Sequence, residues 1–223
     1  MFCLKFPIRS LALTDNPPAL SPSFVSRVKG ILLQPAREWE IIRGEPATVK
    51  GLFVGYAVPL ALIGPVCGLI GGQLFGINVL GAVYRTPILS AIVGAVVAYG
   101  LALLGAYLLG LVIEALAPSF GGTKDRLAAM KVAVYSSTAS WLAGVFGLIP
   151  ALAVLGILGL YSLYLLYTGL SPLMNAPKDK TVVYAVVVVI AAIVIYMVIG
   201  AIVGAVVGGL ALGGAAAVGS VVV

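Results

Sequence analysis

The chain has 223 residues, of which 62% are hydrophobic and only 9% charged, with a net charge of +6. Soluble domains carry about 45–50% apolar and about 25% charged residues, so there are too few charges here to clothe a water-soluble globule. The bilayer must replace water over most of the surface, and the positive balance reads as a topology signal and an attraction to anionic lipid, not as a nucleic-acid footprint.

Residues 1–23 open the chain. Lys5, Pro7 and Arg9 interrupt their apolar content, so no signal-peptide core forms, and Thr14 to Ser23, with Pro17, Pro18 and Pro22, reads as disordered. Residues 24–50 form an amphipathic cytoplasmic lead-in. At 100° per residue Phe24, Val25, Val28, Ile31 and Leu32 share one face, flanked by Arg27 and Lys29. That pattern predicts a short interfacial helix lying in the headgroup plane. Pro35 ends it or starts the next turn, and Glu38, Glu40, Arg43 and Gly44 then follow the order that suits a helix dipole. Trp39 is expected to anchor this stretch at the interface.

The apolar runs come next. Leu52 to Leu74, Ile88 to Ile113, Val132 to Pro150 and Ala151 to Leu170 carry no basic residue and each suits one crossing, because about 20 helical residues span a hydrocarbon core of about 30 Å. The last run, Val182 to Val223, is too long for one straight crossing and is expected to break at Gly208-Gly209 or Gly213-Gly214. The expected architecture is an all-α integral membrane protein with five transmembrane helices in residues 51–205 and a Gly/Ala/Val-rich tail in 206–223. Absence of alternation in runs such as Val186 to Val189 excludes a barrel. On this model every lysine and arginine except Arg85 falls on one side, so the positive-inside rule places the N-terminus in the cytoplasm and the C-terminus outside.

Little inside the membrane carries chemistry. Glu114 is the one intramembrane acid, near the cytoplasmic end of the second span, where it can reach water or pair with Lys124 or Arg126. Tyr135-Ser136-Ser137-Thr138 could line a small polar cavity, or bond backbone and a neighbouring helix instead. There is no histidine and no Cys-x-x-C spacing, so no metal or cofactor is expected. With Cys3 in a reducing compartment and Cys67 in a span, no disulfide is expected either. No nucleophile and base pair is visible, and no enzyme activity is expected. Small residues do recur at four-residue spacing: Gly64, Gly68, Gly72 and Gly76 in the first span, Gly94 and Gly110 in the second, Gly200 and Gly204 in the last. Such stripes let helix backbones approach closely, within one chain or between copies. Pro59 and Pro65 should kink the first span.

Leu32-Leu33-Gln34-Pro35-Ala36-Arg37-Glu38-Trp39, then Tyr56-Ala57-Val58-Pro59-Leu60, and later Leu160 to Leu170 followed by Pro177, Lys178 and Lys180, resemble in order and separation the Yip domain, the Rab-interacting membrane protein family, in its bacterial branch. The resemblance covers roughly Val28 to Ala205. In eukaryotic members it implies membrane trafficking, GTPase partners and association with other Yip proteins. This sequence lacks their long acidic N-terminal domain and their Asp-Leu-Tyr-Gly-Pro type motif, which argues against a Rab-type GTPase partner. The expectation is a membrane scaffold or adaptor in a bacterial inner membrane, associating with the lipid bilayer and with other membrane proteins or itself. Its candidate partner surface is Pro35, Glu38, Trp39, Glu40, Arg126 and Lys178. A small-solute channel or transporter is the alternative, disfavoured by the lack of mid-membrane charge.

Overall fold

The computed structural model describes residues 23–79 and 82–219. The disorder expected before Ser23, Cys3 and the last four residues of the expected tail lie outside the described residues. Among those described, four helices are long and apolar enough to cross a membrane: Val49–Phe75, Ile88–Phe120, Pro150–Met174 and Lys178–Leu210. A short antiparallel hairpin, β1 (Ile77–Val79) and β2 (Ala82–Tyr84), joins the first two, with Ile77 opposite Tyr84. Gly76 makes the turn into it at φ 71°, a conformation that side chains with a Cβ rarely adopt.

The chain begins with α1 (Phe24–Leu33) and α2 (Pro35–Gly44). The first span follows in pieces: α3 (Val49–Leu52), one π turn (Phe53–Ala57), α4 (Val58–Ala61) and α5 (Ile63–Phe75). The interruptions bracket Pro59 and precede Pro65, whose missing N–H groups break the ladder. The turn at Leu62, whose N–H goes to the Leu60 carbonyl, leaves the Val58 carbonyl, and the Tyr99 hydroxyl donates to it at 3.2 Å. The second span is α6 (Ile88–Leu116) with a 3₁₀ turn to Phe120.

Where the sequence suggests a third crossing, no single long helix forms. Instead α7 (Arg126–Ser136), α8 (Thr138–Ala143) and a 3₁₀ segment (Gly144–Leu148) follow one another. The hydroxyl run explains the break at Ser137. Ser136 and Ser137 both donate to the Ala133 carbonyl, at 3.2 and 2.8 Å, and Ser140 donates to the Ser137 carbonyl at 2.8 Å. Hydroxyls that bond back to the preceding turn compete with the helical ladder and bend it. The Ser140 N–H, diverted from its usual acceptor, donates to Ser162 Oγ at 2.9 Å, which stitches the break to the next span. That span runs as a 3₁₀ segment (Pro150–Leu160) and α9 (Tyr161–Met174), and α10 (Lys178–Gly219) closes the chain.

Two expectations are corrected. First, α10 does not break at Gly208-Gly209 or Gly213-Gly214 and stays helical for 42 residues, about 63 Å at 1.5 Å per residue. A glycine costs only about 1 kcal/mol in a helix interior, and a helix already formed propagates across such residues.

Second, α1 is not a detached surface helix. With α2 it forms a helical hairpin that enters the bundle tip first. At the tip Tyr161 donates to the Leu32 carbonyl at 3.0 Å, and Leu32 and Leu33 border the same groove as Ile63 and Leu142. Ile63 is 14 residues beyond Val49, about 21 Å along the first span. The buried residues of α1 are Arg27 and Ile31, and Phe24 and Val25 stay exposed. Arg27 is drawn inward by two carboxylates, which rotates the helix.

The core gathers around this hairpin. One cluster packs Ile31, Trp39 and Ile42 with α6, α7, α9 and α10, and the other packs the start of the first span with Ala106, Met130, Val134 and Trp141. The small-residue stripes divide in the same way. Gly64 faces Gly144 Cα, Gly94 faces Val207, and a Cβ on Gly110 would sit 2.5 Å from Met130 Sδ. A Cβ at Gly68, Gly72, Gly200 or Gly204 would meet nothing within 4 Å among the described residues, whereas Gly71, outside the four-residue series, would drive one to 2.6 Å from the Leu148 carbonyl oxygen. Gly71→Leu should therefore lower stability by about 1–3 kcal/mol through overpacking against backbone. Gly68→Leu should melt in detergent within a degree or two of the parent, and the reverse order would place the tight face elsewhere.

Candidate functional site

One end of the bundle collects most of the charge. There the segment after α2 meets the start of α7, because Lys131 Nζ donates to the Ile42 and Glu45 carbonyls, both at 2.7 Å. The loop after α6 meets the end of α9, where the Thr123 N–H donates to the Met174 carbonyl at 2.7 Å and Asn175 Nδ2 donates to Thr123 Oγ1 at 3.2 Å. Asn175 ends α9 in the left-handed region, at φ 50°, and Pro177 turns the chain into α10. Arg85 lies beyond the far end of the first span, beside β2, and its guanidinium donates to the Leu74 carbonyl at 3.2 Å.

An ionic pin fixes the α1–α2 hairpin. Arg27 Nη1 donates to Glu38 Oε1 at 2.5 Å, Arg27 Nη2 donates to both carboxylate oxygens of Glu45, and the guanidinium lies 5.7 Å from the Tyr135 ring centre. Burial works against the Arg27 charge, but the hydrogen bond and attraction of Glu45, then the attraction of Glu38, outweigh it and hold its pKa above the ordinary arginine value. Gly30 makes the pin possible, since a Cβ there would come within 2.5 Å of the Glu38 carboxyl carbon. Glu114, buried near the end of α6, accepts from Arg126 Nε at 2.8 Å, and this contact raises the pKa of the exposed Arg126.

The candidate surface residues separate under this geometry. Trp39 is fully buried, so its expected place as an interfacial anchor is corrected. Its indole N–H donates to Thr168 Oγ1 at 3.1 Å, and its ring fills the space left by Gly169, where a Cβ would lie 2.7 Å away. Glu38 is likewise buried, held by Arg27, and presents nothing to a partner. Pro35 is half-buried at the hairpin tip, and Arg126 is exposed but tied to Glu114.

Glu40 and Lys178, by contrast, border one open cleft of about 490 Å³ with Arg43, Tyr167, Ser171 and Thr181. Arg43 and Glu40 approach to 3.6 Å, and both are more than half exposed. Sequence reasoning missed Arg27, Glu45 and Lys131 as structural charges. A glycine facing an acid across a helical hairpin, Gly30 and Glu38, was the readable signal. Among the described residues no group of three or more His, Cys, Asp or Glu side chains gathers at metal-binding distance.

Several long apolar helices packed around a charged end define a multi-pass helical membrane protein. The chain matches the Yip1 domain model over residues 29–200, most of its length, and belongs to that family. It is similar to the Escherichia coli inner membrane protein YohC, from strain K12 and from strain O6:H1 (CFT073), with 28% identity over 127 residues in each case. The match covers 56% of this chain and 65% of each relative. No solved structure matches the chain.

The pin has a measurable weight. Arg27→Met leaves Glu38 and Glu45 partly buried without their cation, and breaking such a pair typically costs about 3–5 kcal/mol. The Arg43→Met change removes only an exposed pair and should cost about 0–0.5 kcal/mol. Thermal melts in detergent should rank the two in that order by a wide margin.

Proposed function

We propose that this Yip1-family protein is a non-enzymatic membrane scaffold or adaptor in a bacterial inner membrane. In this reading five crossings place the N-terminus and the charged end in the cytoplasm. The third crossing is the broken segment from Arg126 to Leu148. Its support is that α7 packs against α3 at the start of the first span while Gly144–Leu148 packs against α5 at the other end, so the segment accompanies the first span along its length. The inner-membrane location is supported by the similarity to an Escherichia coli inner membrane protein and by the apolar helices.

The observation that carries the adaptor reading is the α2–α9–α10 cleft. Its rim presents both charge signs, Glu40 against Arg43 and Lys178, on helices otherwise held rigidly by the Trp39 and Arg27 contacts. Rigid, exposed, mixed charge beside an exposed Tyr167 suits a protein partner approaching from the cytoplasm, because complementary charge fixes orientation and an aromatic ring supplies contact area. Rab-type GTPases are not the expected partner, and the bilayer and other membrane proteins or a second copy are.

Two measurements test this. Reporter fusions at Lys178 should read cytoplasm and fusions after Gly213 should read outside; a cytoplasmic C-terminus rules out five crossings. Glu40→Lys combined with Lys178→Glu should remove specific co-purifying partners in mild detergent while the melting temperature stays within a few degrees. Retention of every partner by this double variant would dismiss the cleft as the docking face.

A further inference from the structure

The hydroxyl run that breaks the third crossing also opens a cavity. Its volume is about 720 Å³, inside the range of about 300–1,000 Å³ typical of small-molecule sites, and it lies between α6, α8, α9 and α10. The polar floor is Ser136, Ser137, Ser140, Ser162 and Tyr196. The mouth is formed by Leu163, Ile193 and Met197, all exposed, so it opens sideways toward lipid and not toward either aqueous end. Gly159 lets the α9 side close over the floor, its missing Cβ lying 3.3 Å from Ser140 Cα.

The depth of the floor restricts what can occupy it. Ser137 stands six residues beyond Lys131, the last charge of the segment, about 9 Å into the apolar stretch. A charged phospholipid headgroup stays at the interface, so the polar group that reaches this floor must be small and neutral. The hydrogen-bond inventory restricts it further. Ser136, Ser137 and Ser140 have committed their protons to backbone carbonyls and retain acceptor lone pairs. Ser162 Oγ accepts from the Ser140 N–H and keeps its own proton to give, and the Tyr196 hydroxyl, hydrogen-bonded to Ser137, brings a second O–H to the floor. A floor of hydroxyl oxygens in which acceptor sites outnumber uncommitted protons matches a hydroxyl, which both gives and receives; an ether or ester oxygen would leave those acceptors unused.

We propose that this cavity binds a long-chain neutral lipid through a free hydroxyl group, with the hydroxyl on the serine floor and the chain leaving between α9 and α10. The inference rests on the third crossing of the reading above, and is independent of the adaptor role.

The test uses the full-length protein in phosphatidylethanolamine and phosphatidylglycerol vesicles with a photoactivatable long-chain alcohol carrying an alkyne tag. Cross-links should map to residues 156–166 and 192–197 and be displaced by unlabelled alcohol. The matching methyl ether should displace it about fivefold less well, the order expected from loss of one hydrogen bond. Tyr196→Phe, which removes a floor hydroxyl that makes no bond to backbone, should reduce labelling to a similar extent without altering the melting temperature, and Leu163→Trp should block the mouth and abolish labelling. Equal displacement by alcohol and ether, or labelling unchanged in both variants, overturns the proposal. Displacement by the phospholipids alone would show ordinary bilayer lipid filling a groove and would overturn it as well.

Discussion

Inside hydrocarbon there is no water to satisfy a backbone group that leaves its ladder, so every irregularity must be answered by another part of the same chain. The bundle is organised by those answers. The turn at Leu62 interrupts the first span and Tyr99 comes from α6 to the Val58 carbonyl. The serine run interrupts the third segment and Ser162 comes from α9 to the Ser140 N–H. The α1–α2 hairpin ends at depth with a free Leu32 carbonyl, and Tyr161 reaches it. At the charged end Tyr184 of α10 donates to the Ile113 carbonyl of α6. In the first three cases a helix break or end in one element selects its neighbour, and in the fourth a hydroxyl adds a second donor to a carbonyl already in its helix, so the packing order follows from where hydroxyls and prolines fall.

The same constraint explains why a charged residue can be used as a fastener. An unpaired guanidinium at the position of Arg27 would be prohibitively costly, but two carboxylates and a facing tyrosine ring neutralise it without solvent. Once Arg27, Glu38 and Glu45 are joined, α1 and α2 have one relative orientation, and Lys131 secures the exit from α2 to α7. Trp39 is then carried to the one place on α9 where Gly169 leaves room for an indole. The face of α2 left outward, with Glu40 and Arg43, is the face opposite this buried seam.

Length and hydropathy made the long spans legible to within a few residues: the run read as Leu52 to Leu74 is helical from Val49 to Phe75, and the run starting at Ile88 starts there. The hairpin was not legible, because its evidence is tertiary. A tryptophan beside acids and arginines suits a headgroup interface by composition, and only a glycine 130 positions later converts it into a core residue. Glycine pairs in α10 misled because a cost of about 1 kcal/mol per glycine does not stop a helix already formed. The serine run lay between two alternatives, lining a cavity or bonding backbone. It does both, as the bonds to backbone are what bend the chain and open the cavity.

The longest helices carry the argument one step further. α6 and α10 run antiparallel, with Ile113 beside Tyr184, Gly105 beside Ile199 and Gly94 beside Val207. The pairing therefore persists almost to the start of α6 at Ile88, and the first stretch of α10 past its last charge, Lys180, has an unbroken partner over that whole distance. At 29 residues α6 rises about 44 Å, well beyond a hydrocarbon core of about 30 Å. A helix too long for its membrane tilts, and two such helices in continuous contact must tilt together. A common tilt moves the α10 side of the α9–α10 gap as one body with α6. The lateral mouth of the serine-floored cavity, with Leu163 on α9 and Ile193 and Met197 on α10, is thus bordered on its α10 side by a helix that α6 holds along most of its length.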